Sequence, residues 1–116
     1  MLVKLHGISN CDSVRRARRW LDGQGIAYRF HDFRRDGLDR VRLAAWVEQA
    51  GWEVLLNRKG TTWRRLPPAQ REGIDARSAR ALMLAEPTLI KRPVLEVDGH
   101  LEVGFDADRY HALFKG

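Results

Sequence analysis

One side chain in this 116-residue sequence can act as a strong nucleophile near neutral pH: its single cysteine, Cys11. The thiolate, not the thiol, is the reactive form, so the surroundings of Cys11 decide what it can do. Its neighbours Asn10, Asp12 and Ser13 are polar and suit an accessible helix cap. A buried Cys11 acting as a small hydrophobe is the alternative. Arg15 and Arg16, one helical turn further on, favour the thiolate, and Asp12 opposes it. A dithiol mechanism needs a second cysteine three positions on, where this chain has Val14. A mixed disulfide or sulfenate on Cys11 therefore needs an external thiol, such as glutathione, to clear it.

Two further clusters could bind anions. Lys91-Arg92-Pro93 precedes an apolar run, and an X-Pro bond at a loop-to-strand junction is where a cis peptide is found. A guanidinium at Arg92 could hold an oxyanion bidentately or stabilise a thiolate, which a lysine does less specifically. The alternative for Lys91 and Arg92 is a solvated surface pair. Asn57-Arg58-Lys59-Gly60-Thr61-Thr62-Trp63-Arg64 is a basic loop with hydroxyls and an indole, able to cradle an anion or simply to face water. His6, His31, His100 and His111 have no metal-like spacing to one another or to Cys11, so no metal ligand is assigned. Trp20 and Trp46 fall on apolar stripes and read as packing residues.

Composition sets the frame. The net charge of +6 comes largely from arginine, which favours anionic partners in general: small anions, the carboxylates of glutathione, acidic protein surfaces or nucleic acid. Nucleic acid rests on charge alone and is not the partner expected. No apolar run approaches the ~20 residues a membrane helix needs, and the N-terminus does not read as a signal peptide. With one cysteine and neither of those signals, a soluble cytoplasmic protein is expected, with no membrane partner and no tightly bound cofactor.

Periodicity supplies the elements that must position these groups. Leu2–Gly7 alternates as a short strand. Val14, Ala17, Trp20 and Leu21 recur at helical spacing between about Asp12 and Gln24. Ala27–Phe33 alternates again, closed by Asp36-Gly37. Leu43, Trp46, Val47 and Ala50 mark a helix, with Leu38 and Val41 extending its stripe. Gly60-Thr61-Thr62 and Pro67-Pro68 read as loops, and a further helix spans about Ala76 to Ala85. Pro93–Val97 and Leu101–Phe105 flank Asp98-Gly99, a strong hairpin signal, before a last helix carrying Ala107, Tyr110, His111 and Phe114.

Two strands joined through a helix should lie parallel, and the hairpin should add an antiparallel pair to the same sheet. The expected fold is α/β and thioredoxin-like: a four-stranded mixed sheet with flanking helices and a helical insertion. We expect one domain over 1–116, with a core of about 1–37 and 86–116 and an insertion of about 38–85. In such a fold the proline before the third strand, Pro93, is usually cis and faces the active-site cysteine, which would aim Arg92 at Cys11.

Several spaced motifs, in order, resemble a known family. Leu5-His6-Gly7-Ile8-Ser9-Asn10-Cys11-Asp12, Tyr28–Asp32, Gly51–Asn57 continuing through Gly60–Arg64, and Ile90-Lys91-Arg92-Pro93 are together similar to the YffB branch of the arsenate reductase (glutaredoxin-type) and Spx-like family. The resemblance implies a catalytic cysteine at Cys11 and an anion-binding arginine at Arg92, with glutathione as co-substrate and glutaredoxin as a further partner. It places a second arginine ambiguously within Asn57-Arg58-Lys59. The family's third arginine has no counterpart in Val103-Gly104-Phe105-Asp106, which argues against arsenate as the specific substrate. The expected activity is that of a glutathione-dependent thiol oxidoreductase, with Asn10, Arg15, Arg58, Lys59 and Pro93 in the binding site. The alternative is a regulator similar to Spx, binding RNA polymerase, although the Cys-x-x-Cys switch of that group is absent here.

Overall fold

A computed structural model describes residues 1–115, which divide into two compact units, Met1–Gly37 with 92–115 and Leu38–Lys91. In the first unit, β1 (Val3–Gly7), β2 (Arg29–Asp32), β3 (Val94–Val97) and β4 (His100–Val103) form a mixed sheet in the order β2-β1-β3-β4. β1 and β2 are parallel and are joined through α1 (Asp12–Gly23). The β3–β4 hairpin is antiparallel, and β3 lies antiparallel to β1. Asp98, in left-handed backbone at φ 48, and Gly99 at φ 86 make the tight turn of the hairpin, as Asp-Gly pairs favour. With α2 (Phe33–Asp36) and α8 (Ala107–Phe114), this is the thioredoxin-like arrangement expected from the alternation of patterns.

Strand alternation sends Val3 and Leu5 to one face and His6 to the other. Val3, Leu5, Leu95 and Val97 pack there with Ala17 and Leu21 of α1 and Tyr110 of α8. Trp20 meets the Tyr110 ring edge-on at 5.6 Å, and Phe105 meets it at 4.9 Å. Fully burying a leucine such as Leu5 or Leu21 contributes ~2–3 kcal/mol, so this face holds α1 firmly against β1.

The end of β2 differs from the alternating pattern, because Phe33 opens a helical turn instead of continuing the strand. The Asp32 carboxylate accepts hydrogen bonds from the backbone N–H groups of Arg34 (2.8 Å) and Arg35 (3.3 Å). This is an N-cap that turns the backbone at Phe33.

The second unit is helical: α3 (Arg40–Ala50), α4 (Trp52–Leu55), α5 (Thr61–Arg65), α6 (Pro68–Arg71), α7 (Ala76–Ala85) and a 3-10 turn at Pro87–Leu89. Leu43 and Trp46 are buried, but Val41 is 74% exposed and leaves the stripe. Thr61–Arg65 and Pro68–Arg71 are short helices where the sequence reads as loop. Gly60 and Pro67 stand at their N-caps, and Pro68 occupies a first-turn position where its missing N–H costs nothing. An isolated bridge pairs Leu56 with Ile90. No helix among the described residues is long and apolar enough to cross a membrane.

Candidate functional site

Cys11 is the N-cap of α1, extended at φ −105 and ψ 130. Its own N–H donates to the Ile8 carbonyl at 3.3 Å, and its carbonyl accepts from Arg15 N–H at 2.9 Å. The backbone thus turns out of β1 and enters the helix at the cysteine, whose side chain is half-buried. Burial pushes the thiol pKa up. The Val14 N–H, the Arg92 guanidinium through both hydrogen bonding and charge, and the Ser13 N–H outweigh burial and hold it below the ordinary 9.0. The first-turn N–H groups of a helix have no intrahelical partner and face an anion at the N-cap.

Arg92 belongs to the same unit and is half-buried. The Arg92-Pro93 peptide bond is cis, Pro93 is buried, and its carbonyl accepts from Gly104 N–H at 2.8 Å. The start of β3 thereby brings a guanidinium to the sulfur across a sequence separation that no local pattern could span. Asn10 lies exposed in the turn before Cys11. Arg15 directs its guanidinium to Asp12 Oδ1 at 2.7 Å, so its charge is shared with that carboxylate.

Arg58 and Lys59 lie in the second unit. Asn57 Oδ1 accepts from Lys59 N–H at 3.1 Å, and the Arg58 guanidinium lies 5.0 Å from the Trp52 ring centre and 6.0 Å from that of Trp63. This cation–π stacking orients Arg58. Asn57, Arg58 and Lys59, with Glu53, Leu56 and Lys91, line an open, predominantly basic concavity.

Three features of the first unit are not visible in any single motif. The buried Asp32 carboxylate accepts from Ser9 N–H at 3.3 Å, as well as from the first turn of α2. It therefore links the end of β2 to the loop that leads into Cys11. Burial raises the Asp32 pKa, but the N–H groups of Arg34, Arg35 and Ser9 and the Ser9 hydroxyl win and lower it. The second feature is a polar contact of the buried His6, whose Nε2 lies 2.8 Å from Oε1 of the partly exposed Glu96, with the His31 ring 5.3 Å from that of His6. The third is the close approach of Gly7 to Val14. An aspartate two and three residues before backbone N–H donors is a capping signal that could have located Asp32. The His6–Glu96 contact needs the register of the sheet, and the Gly7–Val14 approach needs the packing of α1 on the end of β1.

The fold and the thiol site together define a thioredoxin-like protein with one cysteine at a helix N-terminus and an arginine beside it. The ArsC family model matches residues 6–113, and the chain belongs to that family. It is similar to a solved YffB protein, with 48% identity, 95% of this chain and 96% of that one covered, and a TM-score of 0.92. An arsenate reductase (ArsC) related protein from Brucella melitensis is 52% identical over 99% of this chain and 96% of its own, with a TM-score of 0.79. An uncharacterized protein of Haemophilus influenzae is 40% identical over 97% of this chain and 99% of its own.

Proposed function

We propose that this chain is a glutathione-dependent thiol oxidoreductase with Cys11 as its one nucleophile. The carrying observation is the convergence of the α1 N-terminus and the Arg92 guanidinium on one half-buried thiol, which favours the thiolate. Family membership and the 52% identity to an arsenate-reductase-related protein support a thiol-reductase-like role.

In this reading the Cys11 thiolate attacks the glutathionyl sulfur of a mixed disulfide, R–S–S–G. The bond from Cys11 to that sulfur forms as the S–S bond of R–S–S–G breaks, and R–S⁻ leaves and takes a proton from water. A second glutathione thiolate then attacks the same sulfur, releasing oxidised glutathione and regenerating the Cys11 thiolate. The sum converts R–S–S–G and glutathione to R–SH and oxidised glutathione. Arg92 steadies the thiolate or an anionic group of the substrate, and Pro93 forms the adjoining wall. Asn10 and Arg15, in the same unit as Cys11, are assigned to glutathione contact, with glutaredoxin as the further reductant where one is needed.

Arsenate is not the substrate proposed. The segment Val103–Asp106, where the family's third arginine would stand, is committed to packing and capping: Phe105 meets Tyr110 edge-on, and the Asp106 carboxylate accepts from Arg109 N–H at 3.0 Å. One guanidinium is sufficient for a thiolate, whereas a doubly charged oxyanion is better held by several.

The test is the pH dependence of Cys11 alkylation in the wild type and in Arg92→Ala, with and without glutathione disulfide. The expected result is an apparent pKa below that of a free thiol in the wild type, a higher one in Arg92→Ala, and glutathionylation of Cys11 that free glutathione reverses. A thiol of ordinary pKa, inert to glutathione disulfide, would overturn the reading and leave a regulator binding RNA polymerase as the alternative.

A further inference from the structure

Gly7 closes β1, four residues before Cys11, and is buried. A Cβ placed on it would lie 2.6 Å from Val14 Cγ2, 3.6 Å from Cγ1 and 3.7 Å from Cβ. The first of these is far inside van der Waals contact, so the side chain of Val14 occupies the space that any other residue at position 7 would need. A glycine inside a strand marks this kind of close approach. Val14 is also the third residue of α1 after the N-cap Cys11, so its backbone N–H is one of the first-turn donors without an intrahelical partner, and it favours the thiolate without forming a side-chain cap hydrogen bond. The residue that packs on Gly7 through its side chain thus serves the thiol through its main chain.

We infer that Gly7 is a positioning residue for Cys11: the missing side chain lets the first turn of α1 settle onto the end of β1, which sets the Val14 and Ser13 N–H groups at the sulfur. A methyl at position 7 cannot be absorbed by rotating Val14, because a β-branched side chain in a helix has one strongly preferred rotamer. Other relief is closed as well. Val14 is itself fully buried, and Ala17 and Leu21, one and two turns along the same helix, are packed into the core of the unit. The turn has to shift at its N-terminal end, where Cys11 sits. The interaction of a sulfur with an N–H dipole weakens quickly with distance and misalignment, so a small displacement is read out at the thiol. This inference rests on the proposed function only in taking Cys11 as the reactive thiol.

The experiment measures the apparent thiol pKa of Cys11, from alkylation rate against pH, in the full-length wild type, Gly7→Ala, Val14→Ala and the double variant. Folding of each is followed by circular dichroism. Gly7→Ala is expected to raise the pKa by ~0.5 unit or more, about a threefold loss of thiolate below the pKa. Val14→Ala keeps the backbone N–H and removes the clashing methyls, so it is expected to leave the pKa near wild type and to restore it in the double variant. If Gly7→Ala does not fold, the double variant carries the test, and a thiol pKa matching that of Val14→Ala is expected. An unchanged pKa in folded Gly7→Ala, or a double variant whose pKa stays raised, overturns the inference and makes Gly7 a packing residue only. Failure of the functional reading is read separately: a wild-type Cys11 inert to glutathione disulfide sinks that reading, whereas the coupling of positions 7 and 14 is read from pKa differences alone.

Discussion

At the scale of single residues, the chemistry of the chain is concentrated in the balance acting on one sulfur. Burial disfavours the thiolate of Cys11, while two helix N–H groups and a guanidinium favour it and prevail. That balance has a consequence for stability. A thiol whose folded pKa lies below its unfolded one leaves the unfolded chain holding more protons at pH values between the two. Stability gained from the thiolate therefore rises with pH across that window and is lost as pH falls through the folded value. Chemical denaturation of wild type and Cys11→Ser across neutral to alkaline pH should show the wild type gaining on the variant as pH rises, then levelling above the unfolded pKa. A pH-independent difference between them would contradict a lowered thiol pKa.

At the scale of elements, two N-cap residues shape the loops that meet near the thiol. Cys11 stands at the N-cap of α1 without a side-chain cap hydrogen bond, and Asp32 caps α2 through its carboxylate while also accepting from Ser9 N–H. Replacing Asp32 with alanine removes the acceptor for three backbone N–H groups and should cost ~1–2 kcal/mol at neutral pH. Because its pKa is lowered in the fold, this contribution is present above the unfolded carboxylate value and lost as pH falls through the folded one. Urea melts of wild type and Asp32→Ala should therefore converge in acid. Equal stability at neutral pH would show that water replaces the carboxylate without cost. The same residue explains why the alternating reading from Ala27 overran the strand: a side-chain cap redirected the backbone at Phe33, and alternation of residue types carries no information about that. The short helices at Thr61 and Pro68 escaped the pattern for a related reason, since four or five residues are too few to establish a helical period.

At the scale of the whole molecule, the excess of arginine surrounds the chain with a positive field at its net charge of +6. Reaction of Cys11 with anionic glutathione disulfide should slow as salt is added, because screening shortens the reach of that field to ~10 Å at 0.1 M ionic strength. An uncharged disulfide such as the hydroxyethyl compound should be nearly insensitive. Stopped-flow rates for both against sodium chloride measure this, and equal salt dependence would exclude a steering role for the charge. The sequence by itself determined the order of elements, the Asp98-Gly99 hairpin, the apolar stripe of α1 and the placing of Cys11 at the start of a helix. All of these depend on interactions between near neighbours, which leave a period or a turn signal in the chain. The approach of Arg92 to Cys11 was expected from the fold class and not from any local pattern, and only the tertiary structure decided that Asp32 bonds to the loop before the thiol, that His6 pairs with Glu96, and that Val14 fills the space left open at Gly7. Those contacts join residues held on different elements, and their geometry depends on sheet register and helix packing, which residue spacing along the chain does not encode.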